Sequence, residues 1–227
     1  RDTDRSRGLG DVYKRQVQCH YERIGRCSVS GDEDGLTQTY YIFKRGITMK
    51  DGIIFVAGIY GVGKSTLCER LSISIGIPCY SAGDLISAIN GEIYGRNKTV
   101  VNKEKNQDIL VTAVNERLQK DKTFILAGHF CIFDKSFNVE RLPESVFSLM
   151  SISKVVLLES DVTKVCENLR YRDSRCYPLD ALKSLKRCEK MQCEKITEQL
   201  GLPLYTHQML FDDSDVQQVR EYVLGGK

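Results

Sequence analysis

The chain has 227 residues, of which 33 are Lys or Arg and 30 are Asp or Glu, so its formal net charge is only +3. This balance gives no signal for a nucleic-acid partner, and no apolar stretch is long enough to cross a bilayer. The nine cysteines contain no C-x-x-C pair, a usage typical of a reducing cytoplasm, where Cys fills small apolar positions.

The first 48 residues are predicted to be a non-native or disordered extension. Residues 1–16 resemble translated adapter sequence and are set aside. Residues 17–48 show no sustained periodicity, and Met49 directly precedes the first predicted strand, so we expect one domain over residues 49–227. The alternative is a genuine N-terminal extension with an edge strand at Thr39–Phe43.

A strand, a glycine-rich loop and a helix follow in that order. Ile53–Ala57 is a short apolar run bounded by glycines, which predicts a strand buried on both faces of a parallel sheet. The helix predicted over Thr66–Ile75 has apolar residues four apart on one face. Between them, Gly58–Thr66 contains the phosphate-binding pattern G-x-x-x-x-G-K-[ST].

This loop predicts a site for ATP and Mg²⁺ built largely from backbone. Its glycines lack side chains, so successive N–H groups can turn towards phosphates at the positive end of the helix dipole. Lys64 is expected to reach the β- and γ-phosphate oxygens and Ser65 to ligate Mg²⁺. The predicted ATP-binding residues are Gly58, Tyr60, Gly61, Val62, Gly63, Lys64, Ser65 and Thr66.

The remaining elements are predicted to alternate between strands and helices. The strands are Ile77–Tyr80, Thr123–Gly128, Lys154–Glu159 and Leu202–Tyr205. The helices are Ser81–Ile89, Asn102–Lys120, Pro143–Met150, a helix from Asp161 to an arginine-rich turn at 170–175, Leu179–Leu200 and a last one around Val216–Tyr222. This alternation predicts a three-layer α/β/α P-loop NTPase fold with a doubly wound, mostly parallel five-stranded sheet.

The motifs and their order resemble the nucleoside-monophosphate kinase branch of P-loop proteins, most closely archaeal-type adenylate kinases and their bacterial ATP-binding AAA relatives. The resemblance covers the chain from Met49 to about Tyr205. It rests on Gly58–Thr66, Ser81–Ile86, Asn106-Gln107, Gly128–Cys131 and the arginine-rich turn before Tyr177–Asp180. It implies transfer of the γ-phosphoryl group of ATP·Mg²⁺ to a small acceptor, a nucleoside monophosphate, under a mobile lid near 170–178.

Phosphoryl transfer depends on positioning and positive charge, so Lys64, Arg172 and Arg175 are the predicted catalytic residues. Arg172 and Arg175 are expected in a turn between two helices, from which both can reach the phosphates when a lid closes. Arg170 is a third candidate. The alternative for this cluster is a solvated basic helix end.

The acceptor pocket is predicted in the segment after the second strand. Asp84, Arg96, Gln107 and His129 are its candidate residues. Asp84 is alternatively a helix cap, and Arg96 a solvated surface residue.

One position departs from the pattern of the family. The relatives carry an Asp where this chain has Ala127, and that Asp usually holds a water on Mg²⁺ or accepts a proton. Asp84 or Glu159 can substitute for it, or His129 can serve as the base. His129 is alternatively a packed residue at the end of a strand.

Two other P-loop classes do not match the sequence. A GTP-driven switch needs an Asn-Lys-x-Asp segment, and a ring-forming mechanical ATPase needs an apolar strand ending in Asp-Glu. Neither pattern is present. Two alternatives stay open, namely an ATP-binding module with weak ATPase activity and little kinase turnover, and a kinase for a small metabolite or an RNA end. The chain is expected to be a monomer or a small homo-oligomer.

Overall fold

A computed structural model of the chain describes residues 50–90, 103–173 and 176–225. These residues belong to one unit that spans Thr48–Lys227. The predicted edge strand at Thr39–Phe43 and the candidate residues Arg96 and Arg175 lie outside the described residues.

The strands of the described residues form one large sheet and one hairpin. They are β1 (Gly52–Ala57), β2 (Cys79–Ser81), β3 (Thr123–Ala127), β4 (Cys131–Phe133), β5 (Val139–Arg141), β6 (Ile152–Glu159) and β7 (Leu204–Gln208). The five-stranded sheet has the order β2-β3-β1-β6-β7, and every neighbouring pair in it is parallel. This arrangement confirms the predicted fold class. The antiparallel pair β4 and β5 forms a separate hairpin.

The central strand β1 explains why the sheet is covered on both faces. All six of its residues are buried. Ile54 and Val56 belong to one hydrophobic cluster and Ile53 and Phe55 to the other, because successive side chains of a strand point to opposite faces. A strand that is apolar on both faces therefore requires a helical layer on each side.

Helices supply both outer layers. They are α1 (Lys64–Ile75), α2 (Ala82–Asn90), α3 (Lys103–Lys120), α4 (Glu144–Ser148), α5 (Val162–Asp173), α6 (Leu179–Gln199) and α7 (Asp213–Val223). Apolar residues of α1, α5 and α7 join the cluster of Val56. Those of α2, α3 and α4 join the cluster of Phe55, and the long helix α6 contributes to both.

Several elements differ from the sequence prediction, among them β2, which spans Cys79–Ser81 rather than Ile77–Tyr80. The β4–β5 hairpin was not predicted, because its strands have three residues each and depend on the side chain of Asp134, which accepts from the N–H groups of Ser136 and Asn138. The last strand begins at Leu204 rather than Leu202 and continues to Gln208. Its second half, residues 206–208, is polar, so an apolar run could not reveal it, and the strand lies at the sheet edge, where polar residues are tolerated.

No helix in the described part of the chain is both long enough and apolar enough to cross a membrane.

Candidate functional site

The candidate site lies where the carboxyl ends of the parallel strands meet. The segments that follow β1, β2, β3 and β7 line one cavity of about 560 Å³. Ligands of open α/β sheets bind at this edge, and the volume is within the ordinary range for a small-molecule site.

The glycine-rich loop after β1 has a backbone that only glycine fits. Gly61 has a φ of 76°, and a Cβ atom there would lie 2.7 Å from Cγ of Leu169. Gly63, with a φ of 98°, is the N-cap of α1. It has no side chain that could accept hydrogen bonds from the first N–H groups of this helix. The start of α1 therefore presents backbone donors and the positive end of its dipole to the cavity.

Lys64 is held across this loop. Its Nζ donates to the carbonyl oxygens of Gly58 at 2.7 Å and Ile59 at 2.9 Å. Ser65 and Thr66 are exposed in the first turn of α1 and line the same cavity. A cradle of glycines, an ammonium group and a hydroxyl at a helix start fit a phosphate chain with its Mg²⁺.

Two predicted ATP-binding residues take other positions. The N–H of Gly58 donates to Oε1 of Glu189 at 3.1 Å, so this amide is bonded within the protein. The Val62 side chain is 1% exposed and packs in the core. The predicted loop residues that do line the cavity are Tyr60, Gly61, Gly63, Lys64, Ser65 and Thr66.

Glu189 on α6 was not predicted as a site residue. Besides Gly58, its carboxyl group accepts from the N–H groups of Phe130, at 3.0 Å, and Cys131, at 2.6 Å. Burial raises its pKa to about 7, although these donors and the charge of Lys64 act in the opposite direction. A glutamate among the buried positions of an amphipathic helix was the available signal in the sequence.

His129 lies against the aromatic ring of Tyr60. The ring centroids are 4.4 Å apart, and Phe133 packs on Tyr60 at 6.0 Å. Burial raises the pKa of the Tyr60 hydroxyl far above its ordinary value, so Tyr60 remains neutral. The loop and the segment after β3 thus form a continuous wall of the cavity.

Arg172 lines the cavity from α5, but it lies in the last helical turn rather than in the predicted turn between helices. Its guanidinium makes two hydrogen bonds to Asp173, which raise the pKa of Arg172. Asn168, one turn earlier, donates to the carbonyl oxygen of Gly61 at 3.0 Å. Arg170 is exposed and is not among the residues that line the cavity.

The half of the cavity opposite the loop is mainly apolar. Of the predicted acceptor candidates, Asp84 and Gln107 line it, together with the buried Asn106, whereas His129 lines the cavity beside Tyr60 of the loop. The Lys and Arg residues among the described lining belong to α1 and α5, so α2, α3 and α4 contribute none of them. The apolar lining of this half consists of Ile86, Leu110, Ile132, Leu142, Val146, Phe147 and Met150.

Ala127 occupies the position where the family pattern has an aspartate. It is 8% exposed at the end of β3, pairs with Val56 of β1 and lines the cavity. Of the residues considered as substitutes, Asp84 and His129 line the cavity as well. Glu159 is not part of the lining, and its carboxylate lies 3.5 Å from Nζ of Lys190.

The segment after β7 forms a wall that the sequence did not predict. Met209 and Phe211 line the cavity close to Gly63, where an added Cβ would lie 3.1 Å from Cε of Met209. Asp215 holds this segment by accepting from the N–H groups of Leu210 and Phe211. Burial raises the pKa of Asp215, but these bonds and one from His207 outweigh it and lower the pKa below its ordinary value.

A strand, a glycine loop carrying Lys64 and a helix, placed at the carboxyl edge of a parallel sheet, define a P-loop protein. A family model described as an AAA domain matches residues 57–186, and the chain belongs to this family. No curated protein sequence matches the chain.

Two solved shikimate kinases share the fold at low sequence identity. Shikimate kinase from Acinetobacter baumannii in complex with shikimate has a TM-score of 0.56 at 15% identity, covering 80% of this chain and 96% of its own. Shikimate kinase from Bacteroides thetaiotaomicron has a TM-score of 0.53 at 16% identity, covering 77% and 99%. A gluconokinase from Sinorhizobium meliloti has a TM-score of 0.47 at 15% identity, covering 78% and 93%.

Proposed function

We propose that the protein is a kinase that transfers the γ-phosphoryl group of ATP to a nucleoside monophosphate. The observation that carries the proposal is a single cavity in which the P-loop faces a largely apolar half. One half suits a triphosphate, and the other suits a flat base with a few polar groups at its edges.

The donor half brings together the groups that phosphoryl transfer requires. Lys64, the start of α1 and Arg172 supply positive charge beside the glycine loop. Bound Mg²⁺ would neutralise charge on the β- and γ-phosphates, with Ser65 as its protein ligand.

The acceptor half favours a nucleobase over a carboxylate-bearing acceptor. A carboxylate buried against α2, α3 and α4 would need a cation, and the described lining residues of these helices include no Lys or Arg. A base instead stacks on apolar side chains and bonds to Asn106, Gln107 or Asp84.

Ala127 is compatible with a phosphate as the attacking group. A phosphate monoester has a second pKa of about 6, so its oxygens are largely ionised at neutral pH and attack without a general base. One oxygen bonds to the γ-phosphorus, the bond from that phosphorus to the bridging oxygen breaks, and ADP leaves. The absence of a carboxylate at position 127 is therefore compatible with this acceptor.

A small-metabolite alcohol is the second candidate acceptor. The shikimate kinases share the fold, and His129 lines the cavity where a base would be needed to take the proton of a hydroxyl group. An ATP-binding module without an acceptor is the third possibility.

A coupled ADP-release assay on the full chain separates these functions. AMP, GMP, CMP, UMP and shikimate are added singly to ATP and Mg²⁺, and we expect one or more of the monophosphates to raise ADP release at least about tenfold. Stimulation by shikimate alone would select the second candidate. Tight ATP binding with no acceptor effect would select the binding module.

Lys64→Ala is the negative control, and its ADP release is expected to fall by about 100-fold or more because a charge at the transferring group is lost. Lys183→Ala is the matched control. Lys183 is exposed on α6 and pairs with Asp180, away from the cavity, so its removal should leave turnover unchanged.

A further inference from the structure

The Glu189 carboxylate joins two segments that are far apart in sequence. It is 1% exposed, and it receives N–H groups from Gly58, which is 131 residues away, and from Phe130 and Cys131, which are 59 and 58 residues away. The first is the start of the P-loop, and the other two follow His129 directly. One side chain therefore bridges the donor loop and the segment that carries His129, which also meet where Tyr60 packs on His129.

The contacts distinguish a carboxylate from any neutral side chain of similar shape. Oε1 accepts from Gly58 and Phe130, and Oε2 accepts from Phe130 and Cys131. All the partners are donors, so both oxygens must act as acceptors. An O–H or an NH₂ group in place of either oxygen would face an N–H group, and that bond would be lost.

Titratable groups from the P-loop, β4 and α6 face this carboxylate. Lys64 stabilises its charge from the P-loop. Tyr60 from the same loop, Cys131 from β4 and Cys193 from α6 also interact with it electrostatically. Burial raises the pKa of each of these three groups, so they stay neutral near pH 7, and Lys64 is the charged partner.

We infer that Glu189 is a positioning residue of the ATP site: as a carboxylate it holds the P-loop against the His129 segment, and on protonation it releases one of them. This inference deepens the proposed function, on which its relevance to phosphoryl transfer rests. Burial raises the pKa of Glu189 to about 7, so the change between the two forms falls near neutral pH.

Affinity for ATP·Mg²⁺, measured by calorimetry between pH 6 and 8.5, tests the inference without depending on an acceptor. In the wild type, the affinity should fall by about tenfold on acidification, because one hydrogen bond from a backbone N–H group to Glu189 is lost. Glu189→Gln should bind about tenfold more weakly at pH 8.5, and its affinity should change less with pH. The phosphates of ATP ionise in the same way with every variant. A difference in pH dependence between variants therefore reports on Glu189.

Two control variants lie on the same helix. Glu194→Gln removes an exposed carboxylate, and Thr197→Val disturbs a buried hydrogen bond within α6. Both should keep the wild-type pH dependence. An equal pH dependence in Glu189→Gln and the wild type would overturn the inference.

A measurement on the wild type covers the case in which Glu189→Gln does not fold. The backbone amide resonances of Gly58, Phe130 and Cys131 should shift together through one transition between pH 6 and 8.5. Their failure to move would overturn the inference. If these amides titrate while no acceptor raises ADP release, the proposed kinase function fails and the positioning role of Glu189 stands.

Discussion

Arg172 and Asp173 are joined side by side at the end of α5: Nε of the arginine donates to Oδ1 of the aspartate at 2.6 Å, and Nη2 donates to Oδ2 at 2.7 Å. Tyr177 donates to the same carboxylate at 2.9 Å. The arginine that lines the cavity is thus occupied by a neighbour, and any phosphate must compete with Asp173 for it.

Asp173→Asn should therefore bind ATP·Mg²⁺ more tightly than the wild type, by about two- to tenfold, because the competing charge is removed. Calorimetry measures the change. The double variant Asp173→Asn with Arg172→Ala is the control and should lose the gain. A gain that persists in the double variant would show that Arg172 is not the group released.

Gly61→Ala should destabilise the fold by about 2–4 kcal/mol and abolish ATP binding. The added Cβ would lie 2.7 Å from Leu169, and the new residue would have to adopt a φ of 76°. The free energy of unfolding in urea and the affinity for ATP are the measurements.

Gly201→Ala is the matched control for this change. Gly201 has a φ of 62°, but a Cβ atom added there would have no other atom within 4 Å. The substitution should cost only the backbone strain, about 1 kcal/mol, and leave ATP binding intact. Equal costs at both glycines would mean that the contact with Leu169 contributes nothing.

Ala127→Asp should raise kinase turnover. The residue lines the cavity at the end of β3, where a carboxylate can hold a water on Mg²⁺. The turnover number with the best monophosphate is the measurement, and Ala127→Asn, of the same size but uncharged, is the control. Unchanged or lower turnover in Ala127→Asp would count against this role.

Glu189 should make stability depend on pH. Its pKa is raised from 4.5 to about 7 in the folded protein, so the folded chain binds this proton more tightly than the unfolded chain. Its contribution to the free energy of unfolding is fully present below pH 4.5 and is lost as the pH rises through about 7.

Urea unfolding of the wild type and of Glu189→Gln at several pH values between 4.5 and 8 measures this contribution. The stability of the wild type relative to the variant should decrease as the pH rises. Thr197→Val should run parallel to the wild type. A constant difference between wild type and Glu189→Gln would contradict the prediction.

The sequence predicted the parallel sheet because its central strands are short apolar runs, and these need no knowledge of distant partners. It predicted Lys64 and Gly63 for a similar reason, since a local pattern defines them. Glu189 escaped prediction because its role depends on amides from two distant segments, which only the fold brings together. Asp215 was missed although the amides that it accepts from, those of Leu210 and Phe211, are only five and four residues away. Arg172 was placed in a turn because the polar run after Leu169 offers no apolar periodicity, although the helix continues to Asp173.

The bond from Asn168 to Gly61 and the burial of Leu169 have a consequence for motion. They anchor the middle of α5 to the P-loop, so this helix cannot swing away as a rigid lever without disrupting the loop itself. Any hinge in α5 must therefore lie beyond Leu169, so the part of the helix that can move is short. Within α5, rearrangement is therefore confined to the last turn, which carries Arg172, while Gly61 keeps its contact with Asn168.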